Sequence, residues 1–130
     1  MLSAFRHVGQ QKGIFLASKY PYRENDTFKC KFNYFKSIPI DIKSHKIIEE
    51  GDEMQLQLMV TKYGPVSVAV DASLASFHSY KSGIYNDSNC TRNVNHAMLL
   101  VGYGRDKATR KDFWPVSYTH LRAHETGRNL

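Results

Sequence analysis

The sequence predicts an α+β domain, a mixed sheet with helices at its edge, and three stretches carry that reading. Asp52 to Tyr63 places apolar residues at helical intervals between a start and a stop signal. Val66 to Val70 alternates apolar and polar or small residues as a strand does. Ala97 to Val101 is an unbroken apolar run that closes on Gly102 and Gly104. At 130 residues the chain suits one domain, large enough to bury a core.

The elements follow in chain order. Met1 to Val8 has helical spacing at Ala4, Phe5 and Val8, and Gly13 is expected to end it. Tyr20-Pro21-Tyr22 to Cys30 reads as a polar, proline-marked loop. From Ile38 to Ile48 a strand is expected, because Ile38, Ile40 and Ile42 alternate with Pro39, Asp41 and Lys43. Asp52 can cap the next helix, Gln55 completes a capping-box spacing, and Gly64-Pro65 stops it. Met54 and Leu58, then Leu56, Val60 and Tyr63, are read as its core-facing stripe. After the Val66 to Val70 strand, Leu74 to Tyr80 reads as a short helix before a turn at Gly83. The last run has Ala97, Leu99 and Val101 on one side and Met98 and Leu100 on the other, so a strand buried on both faces is expected, with His96 at its mouth.

Composition narrows the function. No stretch approaches 18 consecutive apolar residues, and Met1-Leu2-Ser3-Ala4-Phe5-Arg6 lacks the apolar core of a signal peptide, so no membrane partner is expected. The formal net charge is +6, but the lysines and arginines are scattered singly among acids, which reads as a soluble basic surface and not as a nucleic-acid partner. Cys30 and Cys90 form no C-x-x-C, which excludes a cysteine zinc module and leaves open whether they bridge each other. His120 and His124 have i, i+4 spacing without the H-E-x-x-H order, so neither metal nor cofactor is expected. The N-x-S/T sequons at Asn25, Asn86 and Asn89 suit a secreted or lysosomal protein, with at most one of them glycosylated. His96 is the one residue placed for chemistry, since a neutral imidazole where burial begins can take a proton from a thiol or hydroxyl.

The series Gly64-Pro65-Val66-Ser67-Val68-Ala69-Val70-Asp71-Ala72, then Ser76-Phe77, Tyr80-Lys81-Ser82-Gly83-Ile84-Tyr85, and Cys90 with His96-Ala97 and Leu99-Leu100-Val101-Gly102-Tyr103-Gly104, extends this reading. With Tyr20-Pro21-Tyr22, these motifs resemble the C-terminal half of papain-like cysteine peptidases of the cathepsin L, S and K group, over about Met1 to Trp114. The resemblance implies the papain-like fold cut at both ends. Residues 1–36 would be the end of the helical left lobe and its connecting loop, and residues 37–114 most of the antiparallel β-barrel right lobe.

The resemblance also implies the chemistry. His96 matches the catalytic histidine, which holds a cysteine thiolate as an ion pair and then protonates the leaving amine as a thioester acyl-enzyme forms. Neither Cys30 nor Cys90 lies in the S-C-W context of the nucleophile. Each matches a disulfide half whose partner is outside this chain. Asn95 is not the orienting asparagine, which lies downstream in the family. Ala69, Val94, Ala97 and Met1 match the S2 wall and suit a bulky apolar P2 residue, while Ala72, His78 and Asn95 match the primed-side region. The implied partners are peptide or protein substrates, the preceding part of the same polypeptide, a propeptide and cystatin-type inhibitors. The implied compartment is lysosomal or extracellular, reached as a zymogen.

From Pro115 the pattern departs. The family continues into an asparagine and S-W-G, whereas residues 115–130 run from Pro115-Val116-Ser117 to Arg128-Asn129-Leu130 and resemble translated adapter or vector sequence, so this tail is expected to lie outside the fold. Two readings stand: an endopeptidase of which this chain, lacking the nucleophile, is an inactive part, or a non-catalytic peptidase-like binding protein.

Overall fold

The computed structural model describes residues 1–25, 29–118 and 121–126. The chain separates into two compact units, Met1–Ile47 and Ile48–Leu130.

The first unit opens with helix α1 (Leu2–Gln11). It runs past Val8 and ends where Lys12 adopts the left-handed conformation (φ 54°), its N–H donating to the Val8 carbonyl at 2.9 Å. Gly13 is therefore needed for a different reason from the one expected. It begins β1 (Gly13–Ile14), where a Cβ would collide with the Ser37 hydroxyl and lie 3.0 Å from the Ile38 carbonyl oxygen. Strand β2 (Ile38–Pro39) pairs antiparallel with β1, and Ile40 N–H donates to the Lys12 carbonyl. The strand expected over Ile38 to Ile48 lasts only these two residues. Pro39 has no N–H for a ladder, and Ile38, at 44 % exposure, buries no apolar face. Because β2 pairs back onto β1, residues 37–47 pack with the first unit.

Charge is also unevenly placed. Residues 1–47 carry nine lysines and arginines against three acids, and residues 48–130 carry nine against nine, so the whole excess of +6 lies in the first unit. Lys19, Arg23, Lys29, Lys31 and Lys36, dispersed in sequence, border one open cavity of about 490 Å³. The scattering seen along the chain is not kept in space.

The second unit is built on helix α2 (Glu53–Tyr63) and a six-stranded sheet. Asp52 caps α2 as the sequence predicts, its carboxylate accepting from Gln55 N–H at 2.9 Å, and Gly64 (φ 88°) ends it. Of the expected stripe only Leu56 and Val60, one turn apart, are buried. Met54, Leu58 and Tyr63 point outward at 83, 57 and 69 % exposure.

The strands are β3 (Val66–Val70), β4 (Ile84–Tyr85), β5 (His96–Leu100), β6 (Gly104–Arg105), β7 (Asp112–Tyr118) and β8 (Leu121–Thr126), in the order β3-β5-β7-β8-β4 with β6 beside β7. Every pairing is antiparallel except β4 with β8. Helix α3 (Ala75–His78) is a single turn inside the predicted Leu74 to Tyr80 segment, and Gly83 turns the chain at φ 92°.

Leu56, Val60, Val68, Val70, Met98, Leu100, Trp114 and Val116 form the core. Register puts Val66, Val68 and Val70 opposite Leu100, Met98 and His96, so one face of the β3–β5 pair supplies the burial. This corrects the expectation that β5 is buried on both faces. Leu99 and Val101, on the other face, are 41 and 42 % exposed, because α2 packs against one side of a pleated strand.

The expected break at Pro115 falls inside β7. Proline cannot donate to the ladder, but its carbonyl accepts from Val101 N–H at 2.9 Å, and Val116 pairs with Leu100 and is fully buried. Residues 115–118 are thus part of the sheet. Of the His120–His124 pair, His120 lies outside the described residues, as do Asp26 and Thr27 of the Asn25 sequon.

Candidate active site

His96 is the first residue of β5, opposite Val70 at the end of β3. Its position follows from the register. The imidazole is on the face that carries Val68, Val70, Met98 and Leu100, at the margin of the core and half-buried. The Phe77 ring of α3 meets it edge-on, with centroids 6.0 Å apart, and Tyr85 meets Phe77 from another side at 5.5 Å. The imidazole therefore has an aromatic wall beside it.

Ala69 and Ala97 are register partners on the opposite face of the same strand pair. Ala69 and Val94 border an open cavity of about 540 Å³ together with Asp71, Cys90, Thr91 and Arg92. The Arg92–Glu50 ion pair at its rim, 3.4 Å and exposed at both ends, contributes little stability. Asn95 ties the strand ends together: its N–H donates to the Val70 carbonyl at 3.0 Å, and its side-chain oxygen accepts from Ala72 N–H at 2.8 Å. Five of the residues singled out from sequence (Ala69, Ala72, Val94, Asn95 and Ala97) thus gather with His96 around the end of one strand pair. His78 is exposed on α3, its ring beside Phe77 at 6.3 Å. Met1 belongs to the first unit as the N-cap residue of α1, 51 % exposed.

Two carboxylates that sequence reading passed over anchor the segment before His96. Asp71, 5 % exposed, accepts from the amide and hydroxyl of Ser73 and from the amide and hydroxyl of Thr91. Those bonds, Ser73's first and then Thr91's, hold its carboxyl far below the usual carboxylate range. Asp87 accepts from the Ser76 hydroxyl at 2.6 Å and from Asn89 N–H at 2.9 Å, which lowers its carboxyl as well. The local signal was the Asp-x-Ser spacing at Asp71, which favours an Asx turn, but its link to Thr91 twenty positions away has no local signature. Cys30 is exposed and Cys90 half-buried, and both thiols are free, so they do not bridge each other. Among the described residues no group of three or more His, Cys, Asp or Glu is placed to hold a metal ion, and no helix is long and apolar enough to cross a membrane.

A strand pair that closes on a histidine, with its flanking motifs in order, matches one family along most of the chain: the profile described as papain family cysteine protease aligns with residues 1–119. The chain belongs to this family. It is 40 % identical over 117 residues to a cathepsin L-like protein of Caenorhabditis elegans, 89 % of this chain and 34 % of that protein. It is 41 % identical over 123 residues to mouse cathepsin K (91 % and 37 %) and 42 % identical over 116 residues to mouse cathepsin S (89 % and 33 %). Among solved structures, digestive procathepsin L2 proteinase from Tenebrio molitor larval midgut superposes with a TM-score of 0.83 at 32 % identity, covering 97 % of this chain and 41 % of that one. Digestive procathepsin L 3 of the same larval midgut gives 0.85 at 29 %, covering 98 % and 42 %. The fold is papain-like, and this papain-family chain spans about a third of the length of the curated relatives it matches. The family match extends past Pro115 to residue 119, in step with the continuation of β7.

Proposed function

We propose that this chain carries the acid–base half of a cysteine-type endopeptidase site, with His96 as its catalytic histidine. The observation that carries the reading is the placement of His96: half-buried on the first residue of β5, walled by Phe77, in a segment pinned by Asn95 and Asp71. A cysteine supplied by the preceding part of the polypeptide forms a thiolate–imidazolium pair with it. The thiolate attacks the scissile carbonyl, His96 gives its proton to the departing amine, and a thioester is left. His96 then takes a proton from water as the hydroxide attacks the thioester, the acid product leaves, and the thiolate–imidazolium pair is restored. The chain alone, without nucleophile or orienting asparagine, is inactive.

Ala69, Val94 and Ala97 line the S2 side and favour an apolar P2 residue, while Ala72, His78 and Asn95 border the primed side. Cys30 and Cys90 each pair with a cysteine beyond this chain. The parent protein is a zymogen of the lysosome or extracellular space, held by a propeptide and open to cystatin-type inhibitors.

The test is a graft of residues 1–114 into the matching segment of a cathepsin L-like peptidase, assayed on a Leu-Arg dipeptidyl substrate. Thiol-blocker-sensitive turnover that falls at least ~10³-fold with His96→Gln supports the reading. Turnover indifferent to His96, or turnover by the ungrafted chain, refutes it.

A further inference from the structure

The segment between β4 and β5 determines where His96 begins. Asp71 is the only buried charged side chain among the described residues, at 5 % exposure. A carboxylate is acceptor-only, and this one is filled by four donors divided by oxygen. One oxygen takes Ser73 N–H (3.0 Å) and the Ser73 hydroxyl (2.6 Å), just beyond β3. The other takes Thr91 N–H (3.0 Å) and the Thr91 hydroxyl (2.7 Å), on the approach to β5. The Thr91 hydroxyl oxygen in turn accepts from Asn93 N–H at 3.2 Å. Two further bonds cross between the same segments: Asn95 N–H to the Val70 carbonyl, and Ala72 N–H to the Asn95 side chain.

We propose that Asp71 is a positioning residue for His96, its carboxylate stapling the segment that enters β5 onto the segment that leaves β3. The proposal rests on the reading of His96 given above for its functional meaning. Its structural content stands on the hydrogen bonds alone. Releasing the staple frees residues 91–95 from one side, and the imidazole that follows them shifts relative to the Phe77 ring on α3.

Substitution chemistry separates positioning from general support of the fold. Asp71→Asn keeps the shape but leaves one accepting oxygen and turns an NH₂ donor toward a pair of donors, so one half of the staple opposes itself. Thr91→Val removes, at nearly constant volume, both the hydroxyl bond to Asp71 and the one the hydroxyl accepts from Asn93 N–H, and Thr91→Ser keeps both. The experiment uses the whole 130-residue chain. The ring signals of His96 are read by long-range ¹H–¹⁵N correlation, whose ring-current shift reports the Phe77 contact, and amide hydrogen exchange is followed in parallel.

Asp71→Asn is expected to move the His96 ring signals and to speed exchange of residues 91–95 by about tenfold, while Val68 and Met98 in the β3–β5 ladder change less than about threefold. Thr91→Val gives the same change in smaller measure, and Thr91→Ser restores the parent spectrum. Ring signals that stay in place in folded Asp71→Asn overturn the proposal. So does a ladder that loosens as much as the loop, or a Thr91→Ser that behaves like Thr91→Val. If Asp71→Asn does not fold, the two Thr91 variants decide. Failure of the catalytic reading appears in the graft assay and leaves these signals untouched, so the two failures are separable.

Discussion

Leu99 and Leu100 are chemically identical neighbours on β5, and the sheet gives them opposite fates. Leu100 is fully buried between Val66 and Val116 in the core, whereas Leu99 is 41 % exposed on the other face. Truncating Leu100 to Ala removes three buried carbons, about 2.4 kcal/mol of transfer energy at ~0.8 kcal/mol per methylene. The cavity left in a packed core adds to this, so a loss of about 3 to 4 kcal/mol is expected. Leu99→Ala gives up only the covered part of the same side chain and leaves no closed cavity, for a loss of about 1 kcal/mol. The assay is urea unfolding followed by fluorescence of Trp114, the sole tryptophan, which is 6 % exposed and meets Tyr103 edge-on at 6.4 Å. With m-values unchanged, the midpoints give the two losses directly. A difference between the variants below about 1 kcal/mol, or a larger loss at Leu99, would refute the one-faced burial of β5 and the register on which the placement of His96 depends.

Further outcomes follow from the same structure. Because the Asp71 carboxyl is lowered on folding, its contribution is fully present above the ordinary carboxylate value of 3.8 and is lost as pH falls toward its folded value. Melting temperature should therefore drop on acidification below about pH 4 more steeply for the parent chain than for Asp71→Asn, and parallel curves would contradict the network. Asp87, lowered first by Ser76, adds to the same acid limb, so Ser76→Ala should flatten it slightly. Thiol titration of the chain without denaturant should find Cys30 reacting faster than half-buried Cys90, with two thiols per chain in all; a count of zero would mean that the two are bridged.

The sequence by itself determined the parts whose signals are local. The α2 start at Asp52 and its stop at Gly64 were legible because a cap and a left-handed glycine act within one turn. The β3 strand was legible from period-two alternation, and the family from ordered motifs around His96. Tertiary structure alone decided the rest, since each remaining feature depends on a partner distant in sequence. Whether an apolar strand is buried on one face or two depends on what packs against it, which is why Leu99 and Leu100 looked alike in the sequence and are not. The alternating isoleucines after Ile38 made only a two-residue strand because their partner was Gly13–Ile14. Pro115 looked like a break until its carbonyl found Val101. Asp71 joined Thr91 across twenty positions, and a local pattern cannot encode a hydrogen bond of that span.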